Sequence, residues 1–452
     1  MRAHTNSTNP CLKILIFLIL QTFLPFMTHF KNFKSEAKIL TLPLKSQVIP
    51  SGYLPRPPNK LRFHHNVSLT VSITVGTPPQ NVTLVIDTGS ELSWLHCSNN
   101  TTNRVSSDPF FNPNLSSSYT PISCSSTTCT TRTRDFPIPA SCDSNNHCHA
   151  TLSYADASSS EGNLASDSFG FGGPINPGIV FGCMDSSIST NSDGDFNTTG
   201  LMGMNLGSLS LVSQLKIPKF SYCISGSDFS GILLLGESNI SWVGSLNYTP
   251  LVQMSTPLPY FDRAAYSVRL MGIKVSDKLL NLSNIILAPD HTGAGQTMFD
   301  LGTQFTFLLG PVYSILREEF LSQTNSTLRV MDDPNFAFQL AMDLCYRVPL
   351  NQSKLPELPS VSLVFDGAEM RVSGEQVLYE VPSGIIGNDS VYCFTFGNSD
   401  LLGVESFIIG HHQQQNMWME FDLVNSRVGL AHVQCDLVSQ KVLGYGYLGP
   451  HD

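Results

Sequence analysis

"LVIDTGSELSWL", residues 84–95, and "TMFDLGTQFTF", residues 297–307, carry one pattern twice. In each, apolar residues lead to an Asp, then any residue, Gly, and a hydroxyl-bearing residue. The first copy reads Asp87-Thr88-Gly89-Ser90, the second Asp300-Leu301-Gly302-Thr303. After each, at a similar distance, comes a second signature: "GLMG", ending at Gly203, and "FIIG", ending at Gly410. An isolated Asp with Gly close behind is most often a turn. Two copies in register, each with its trailing apolar pair and Gly, point instead to duplicated lobes that face each other.

Outward from these stretches the chain reads as strand after strand. In "NVSLTVSITVG", Val67, Leu69, Val71, Ile73 and Val75 alternate with Asn, Ser and Thr, the period-two pattern of a half-buried strand. "GTPPQ" breaks it and "NVTLVID" begins the next. Short β runs broken by Gly, Pro, Asn and Ser continue along most of the chain. "GPVYSILREEFLSQT" is the best helical segment. The expected class is all-β with a few short helices.

The totals narrow the function. A chain of 452 residues is too long for one ordinary core and fits two domains plus leader segments. Only 13% of residues are charged, and the net charge is −10. No basic run or aromatic–basic stripe invites nucleic acid or an anionic membrane surface. Lys13 precedes "ILIFLILQTFLPF", an apolar run of signal-peptide length and short for a bilayer span. Residues 1–28 are therefore read as a signal peptide, with no stable membrane insertion after cleavage. Residues 29–65, including "PSGYLPRPPNKLRFHH", read as a pro-region or linker, because Pro at that density disfavours helix and sheet. Of eleven cysteines, Cys11 lies in the leader, which leaves an even number for an oxidising compartment. Asn66, Asn81, Asn114, Asn197, Asn281 and Asn325 head Asn-x-Ser/Thr sequons. Their density fits a glycoprotein of the secretory pathway, in the endoplasmic reticulum or outside the cell, in plants the apoplast.

Two Asp carboxyls brought together across a pseudo-twofold axis cannot both ionise cheaply, so they share a proton. One can then take a proton from a bound water while the other donates a hydrogen bond to the carbonyl under attack. This chemistry needs no metal, cofactor or covalent intermediate. Gly89 and Gly302 would let the backbone turn tightly beneath each carboxylate. Ser90 and Thr303 offer hydroxyls to each from outside.

With these residues in view, the sequence resembles the pepsin-like aspartic proteases over residues 66–436. "VGTPPQ", "IDTGSELSW", "YADASSSEG", "GLMGMNLGSLSL" and "IIGHHQQQNMWMEFDLVNSRVGLA" look like the plant atypical, nepenthesin-like branch. "IDTGSELSWLHC" with "GTQFTFLLGPVY" is most similar to its promotion-of-cell-survival type. The resemblance implies a bilobal pepsin-like fold with two pseudo-symmetric β lobes, 66–240 and 241–436, split near 237–250 around a central cleft. Residues 437–452 are left as a C-terminal tail. It implies a monomeric endopeptidase acting on peptides or proteins, with Asp87 and Asp300 as the catalytic pair. Tyr154 becomes the flap tyrosine that closes over substrate, and Trp94 its support. Taken alone, Tyr154 reads as a packed strand residue and Trp94 as core. A relative of xylanase-inhibitor type, binding a partner enzyme through surface loops, is the alternative.

The resemblance also implies disulfides, which cysteine spacing alone cannot choose. They are Cys97–Cys183, Cys223–Cys435, Cys345–Cys393, and the nested pairs Cys124–Cys148 and Cys129–Cys142. "HCH" at 147–149 and "HH" at 411–412 are not read as metal sites: Cys148 is taken by a disulfide, and adjacent strand residues point to opposite faces. One letter departs from the family pattern. The residue after each catalytic Asp is there Thr or Ser, whose hydroxyl bonds the opposite loop. Thr88 can make this bond and Leu301 cannot. The expectation is a crowded lobe junction and an activity lowered but not lost.

Overall fold

The computed structural model describes residues 39–48, 67–98, 110–134, 136–155, 158–188, 198–228, 230–237, 243–352 and 354–445. All fall in one compact unit, Ile39–Asp452. The expected signal peptide and residues 446–452 of the tail lie outside the described residues, as does most of the expected pro-region.

The fold is a two-lobed β structure, as the repeated motif implied. Strands from both halves of the chain meet in one antiparallel sheet. Its order is Asn247–Pro250, Arg427–His432, Met417–Asp422, Lys219–Ile224, Gly231–Leu235, Leu40–Val48. The join between halves is the pairing of Lys219–Ile224 with Met417–Asp422, which sets Phe220 opposite Phe421. Their rings stack at 4.6 Å, and Tyr266 packs edge-on against Phe421 at the same centroid distance. Aromatic pairs of this kind add about 0.5–1.5 kcal/mol beyond the area they bury. The halves are therefore held by a shared apolar core beneath the two Asp loops.

The strand Leu40–Val48 corrects one part of the reading of residues 29–65, that their Pro content disfavours sheet. It pairs with Gly231–Leu235 on one side and Val67–Val75 on the other. Leu42 and Leu44 point into the core at 4% and 2% exposure. Pro43 stands opposite Ile232 in the first ladder, while the second begins only at Lys45, so on that side its missing N–H leaves no partner unpaired. The described part of the expected tail is also structured. Cys435–Tyr445 is a helix, and Val438 packs with Cys223, Ile232, Leu234 and Trp418 behind the shared sheet.

Three bridges are Cys97–Cys183, Cys223–Cys435 and Cys345–Cys393. The nested pairs Cys124–Cys148 and Cys129–Cys142 are not those of the structure. Cys124 joins Cys142, and Cys129 joins Cys148, with Cα separations of 5.8 and 5.7 Å. Local pairing explains the exchange. Cys142 and Cys148 stand opposite each other on antiparallel strands, so they cannot be sorted into an inner and an outer bridge. The Cys124 segment runs along the same edge, with its N–H on the Asn146 carbonyl at 3.0 Å. The helical turn Thr128–Arg132 brings Cys129 to the buried Cys148, leaving the exposed Cys142 to Cys124. Peptide mapping under non-reducing conditions should recover Cys124–Cys142 and Cys129–Cys148. Recovery of a Cys124–Cys148 peptide would show the nested order instead. Asn81, Asn114, Asn281 and Asn325 are all exposed. Among the described residues no helix is long and apolar enough to cross a membrane.

Candidate active site

Asp87 ends the strand Gln80–Asp87, and Asp300 follows the strand Gln296–Phe299. Each strand is flanked by a parallel partner that carries the second half of the repeat. Gly200–Gly203 runs beside the first, with Gly203 opposite Asp87; Ser406–Ile409 runs beside the second, with Ile409 opposite Phe299. The backbone fixes both turns. Met204 N–H donates to the Asp87 carbonyl at 2.9 Å, and Asp300 N–H to the Ile409 carbonyl at 3.0 Å.

The carboxyls sit in matching cradles. Asp87 Oδ1 accepts the Gly89 N–H at 2.7 Å, and Oδ2 the Ser90 hydroxyl at 2.5 Å. Asp300 Oδ1 accepts the Gly302 N–H at 2.9 Å, and Oδ2 the Thr303 hydroxyl at 2.5 Å. The two loops bring each carboxyl up against the glycine of the other. A Cβ placed on Gly302 would stand 2.5 Å from Asp87 Oδ1; one on Gly89 would stand 3.1 Å from Asp300 Oδ1 and 3.2 Å from Asp87 Oδ1. Close approach by the opposite carboxyl thus requires these glycines. Neither glycine has a left-handed φ, so the room left by the missing Cβ, rather than backbone freedom, is what they supply.

Burial, and then the charge of Asp300, push the Asp87 carboxyl well above the ordinary carboxylate range. Its hydrogen bonds from Ser90 and Gly89 pull the other way and do not prevail. Burial and the like charge beside it thus favour the protonated form of Asp87.

Thr88 and Leu301 lie just under the carboxyls. Thr88 is fully buried, and its Oγ1 accepts the Leu301 N–H at 2.9 Å across the two halves. The same hydroxyl faces the Phe299 carbonyl at 3.5 Å, a long contact. Leu301 is 2% exposed and belongs to the main apolar core. Its side chain is thus part of the apolar packing beneath the carboxyls.

Tyr154 follows the strand Cys148–Ser153, and its hydroxyl accepts the Trp94 indole N–H at 2.6 Å. Trp94 opens the short strand Trp94–His96, which pairs with Gly200–Gly203. Both rings are partly buried. The hairpin tip, residues 156–157, lies outside the described residues.

Sequence reading missed two supports. Asn205 Nδ2 donates to the Gly89 carbonyl at 3.1 Å. Tyr266, fully buried, donates its hydroxyl to the Met204 carbonyl at 2.5 Å. The signal for Asn205 was its place just after "GLMG"; nothing in the sequence marks Tyr266. The paired histidines follow Ser406–Ile409 in a turn, not on a strand. They still diverge: His411 Nε2 meets the Val67 carbonyl at 3.3 Å and His412 Nε2 the Gln376 carbonyl at 2.9 Å. Burial lowers the His412 pKa to about 4. In "HCH", Cys148 is bridged, while His147 faces Asp143 and His149 faces Asn163.

Comparison with known proteins agrees with this geometry. Family models described as xylanase inhibitor N-terminal and xylanase inhibitor C-terminal match residues 69–237 and 265–432. The chain is 62% identical to aspartic proteinase PCS1 of Arabidopsis thaliana over 413 residues, 90% of each protein. It is 34% identical to aspartic proteinase nepenthesin-1 of Nepenthes gracilis, over 81% of this chain and 77% of that one. In fold it is similar to the crystal structure of edgp, with TM-score 0.64 at 20% identity, covering 89% of this chain and 96% of that one. Basic 7S globulin from soybean gives TM-score 0.62 at 20% identity, covering 88% and 98%. The repeated Asp loops, the shared sheet and these identities together place the chain in the nepenthesin-like plant family of pepsin-type aspartic endopeptidases.

Proposed function

We propose that this chain hydrolyses internal peptide bonds with a water molecule activated between Asp87 and Asp300, and that Leu301 lowers the rate without abolishing it. The observation that carries the reading is the pair of matching cradles, in which each carboxyl accepts one backbone N–H and one hydroxyl and lies close to the glycine of the opposite loop. In the reactive state Asp300 is ionised and takes a proton from water as its oxygen attacks the carbonyl carbon. Asp87 donates its hydrogen bond, and then its proton, to the carbonyl oxygen. As the tetrahedral diol collapses, the proton held by Asp300 passes to the leaving amide nitrogen, and a diol hydroxyl returns a proton to Asp87. Atoms balance with water as the only co-reactant. In this reading Tyr154, whose hydroxyl accepts the Trp94 indole N–H, is the flap residue that closes over the substrate.

Five disulfides among the described residues support a site of action in the secretory pathway, inside the endoplasmic reticulum or beyond it. The substrate class is peptide or protein, and the working unit a monomer.

Hydrolysis of an acid-denatured protein, with and without pepstatin, tests the reading. The rate should trace a bell against pH. The acid limb falls as the pair takes up a second proton, and the alkaline limb as its single proton is lost. The raised Asp87 pKa moves that alkaline limb towards neutrality. Pepstatin should inhibit, and a chelator should have no effect. A protein that cuts nothing at any pH would leave the alternative, a non-catalytic partner-binding relative of xylanase-inhibitor type.

A further inference from the structure

The turn after Asp87 is gripped by one residue just past "GLMG". Asn205 stands two residues beyond Gly203 and is 0% exposed. Its backbone N–H donates to the Ser90 carbonyl at 3.1 Å, and its Nδ2 donates to the Gly89 carbonyl at 3.1 Å. These two carbonyls belong to the peptide groups on either side of the Ser90 Cα. Asn205 therefore fixes both, and with them the place from which the Ser90 hydroxyl reaches Asp87 Oδ2. Gly89 has no side chain to anchor its own peptide, so the anchor comes from Asn205.

The amide is itself held in one orientation. Asn205 Oδ1 accepts the Gly207 N–H at 2.7 Å while Nδ2 faces a carbonyl, and only one assignment of oxygen and nitrogen satisfies both. Gly207 leaves room for it: a Cβ there would stand 2.8 Å from Asn205 Oδ1 and 2.6 Å from Glu91 Cβ. In the second half, His411 and His412 supply backbone N–H groups to the Thr303 and Gln304 carbonyls, each at 2.9 Å. His412, two residues beyond Gly410 as Asn205 is beyond Gly203, directs its Nε2 to the Gln376 carbonyl. The Asp87 turn thus adds a fully buried side chain to the backbone bonds that both turns receive.

We propose that Asn205 is a positioning residue for the reaction: its amide holds the Gly89 carbonyl, and so keeps Asp87 in the orientation from which it passes its proton. The inference rests on Asp87 and Asp300 being the reacting pair. Asn205 then acts on the transition state rather than on substrate binding, and its loss falls on kcat.

Asn205→Asp is the discriminating change, because a carboxyl has the shape of the amide and can replace it only while protonated. Protonated, it donates its O–H to the Gly89 carbonyl and accepts from Gly207 with the other oxygen; ionised, it sets two acceptors against each other. Burial favours the protonated form at acid pH. In peptide hydrolysis the Asp variant should match the wild type at the acid end of the bell. As pH rises it should lose kcat roughly ten- to hundredfold, ahead of the wild type's own alkaline limb and with KM little changed. Asn205→Ala should lose a similar factor at every pH. Circular dichroism under the assay conditions shows whether each rate is read on folded protein. A rate that falls only where the variant is unfolded overturns the proposal, because Asn205 would then serve the fold as a whole. So does an Asp variant that follows the wild type at every pH. So does one whose alkaline limb moves to higher pH, since an anion that merely neighbours the pair makes it hold its proton more tightly. A wild type inert at every pH overturns the Asp87–Asp300 reading and this one with it.

Discussion

Asp87→Asn should lower the rate of peptide hydrolysis by roughly 10²–10⁴-fold, the range for loss of a positioned acid–base group, while the protein stays folded. The amide is close in shape to the protonated carboxyl it replaces. Its oxygen can accept the Gly89 N–H, and its NH2 can donate to Ser90 if that hydroxyl turns. It can neither hand on a proton nor share one with Asp300. Stability should move in the opposite direction from activity. Because burial and Asp300 raise the folded-state pKa of Asp87, the native protein keeps a proton that the unfolded chain releases. That contribution is fully present below the ordinary Asp value of 3.8 and is lost as pH rises through the raised value. Wild-type Tm should therefore fall over this window, and the Asn variant, which has no such proton to lose, should show a flatter profile. A variant that still cleaves at the wild-type rate would place the chemistry elsewhere. A variant with an unchanged pH–Tm profile would mean that Asp87 does not carry the proton.

The parts of the fold that were legible in sequence are those where chemistry restricts the residue. An Asp loop squeezed against its twin tolerates only Gly two residues on, so the repeat survives as a readable pattern at 87–90 and 300–303. Alternation marked strands such as Val67–Val75 equally well. The strand Leu40–Val48 also alternates, with Leu40, Leu42 and Leu44 on one face. Pro43 and the Pro-rich stretch after it hid that pattern, and only the start of the ladder at Lys45 shows why Pro43 does no harm. The exchange of partners among Cys124, Cys129, Cys142 and Cys148 was beyond sequence for a different reason. Bridges with separations of 18 and 19 residues differ from the nested alternative only in local strand register, which spacing does not encode.

Thr88→Val should damage the site far more than any change that restores a hydroxyl at 301 can improve it. Valine keeps the shape of threonine, so the apolar packing around this fully buried position survives. What is lost is the acceptor for the Leu301 N–H, now 2.9 Å from Thr88 Oγ1. A buried donor left dry costs about 1–3 kcal/mol. The Asp300 turn can avoid that cost only by moving, and a shift near 1 Å at reacting groups costs about a hundredfold in rate. Leu301→Thr is the complementary change. It offers the hydroxyl that this turn lacks, and one new bond to the opposite loop, Asp87–Ser90, is worth about 0.5–1.5 kcal/mol, so about tenfold in rate at most. Against that gain stands the apolar burial of Leu301, which is 2% exposed in the main core. Truncating a buried leucine typically costs about 2–5 kcal/mol, so net stability should fall even where the new bond forms. The two variants therefore separate two accounts of position 301. If the leucine is core, Leu301→Thr loses Tm and gains little rate, while Thr88→Val loses both. If Leu301→Thr instead turns an inert protein into a fast enzyme at no cost in Tm, the natural chain is a pseudoprotease, and the packing of Leu301 is incidental.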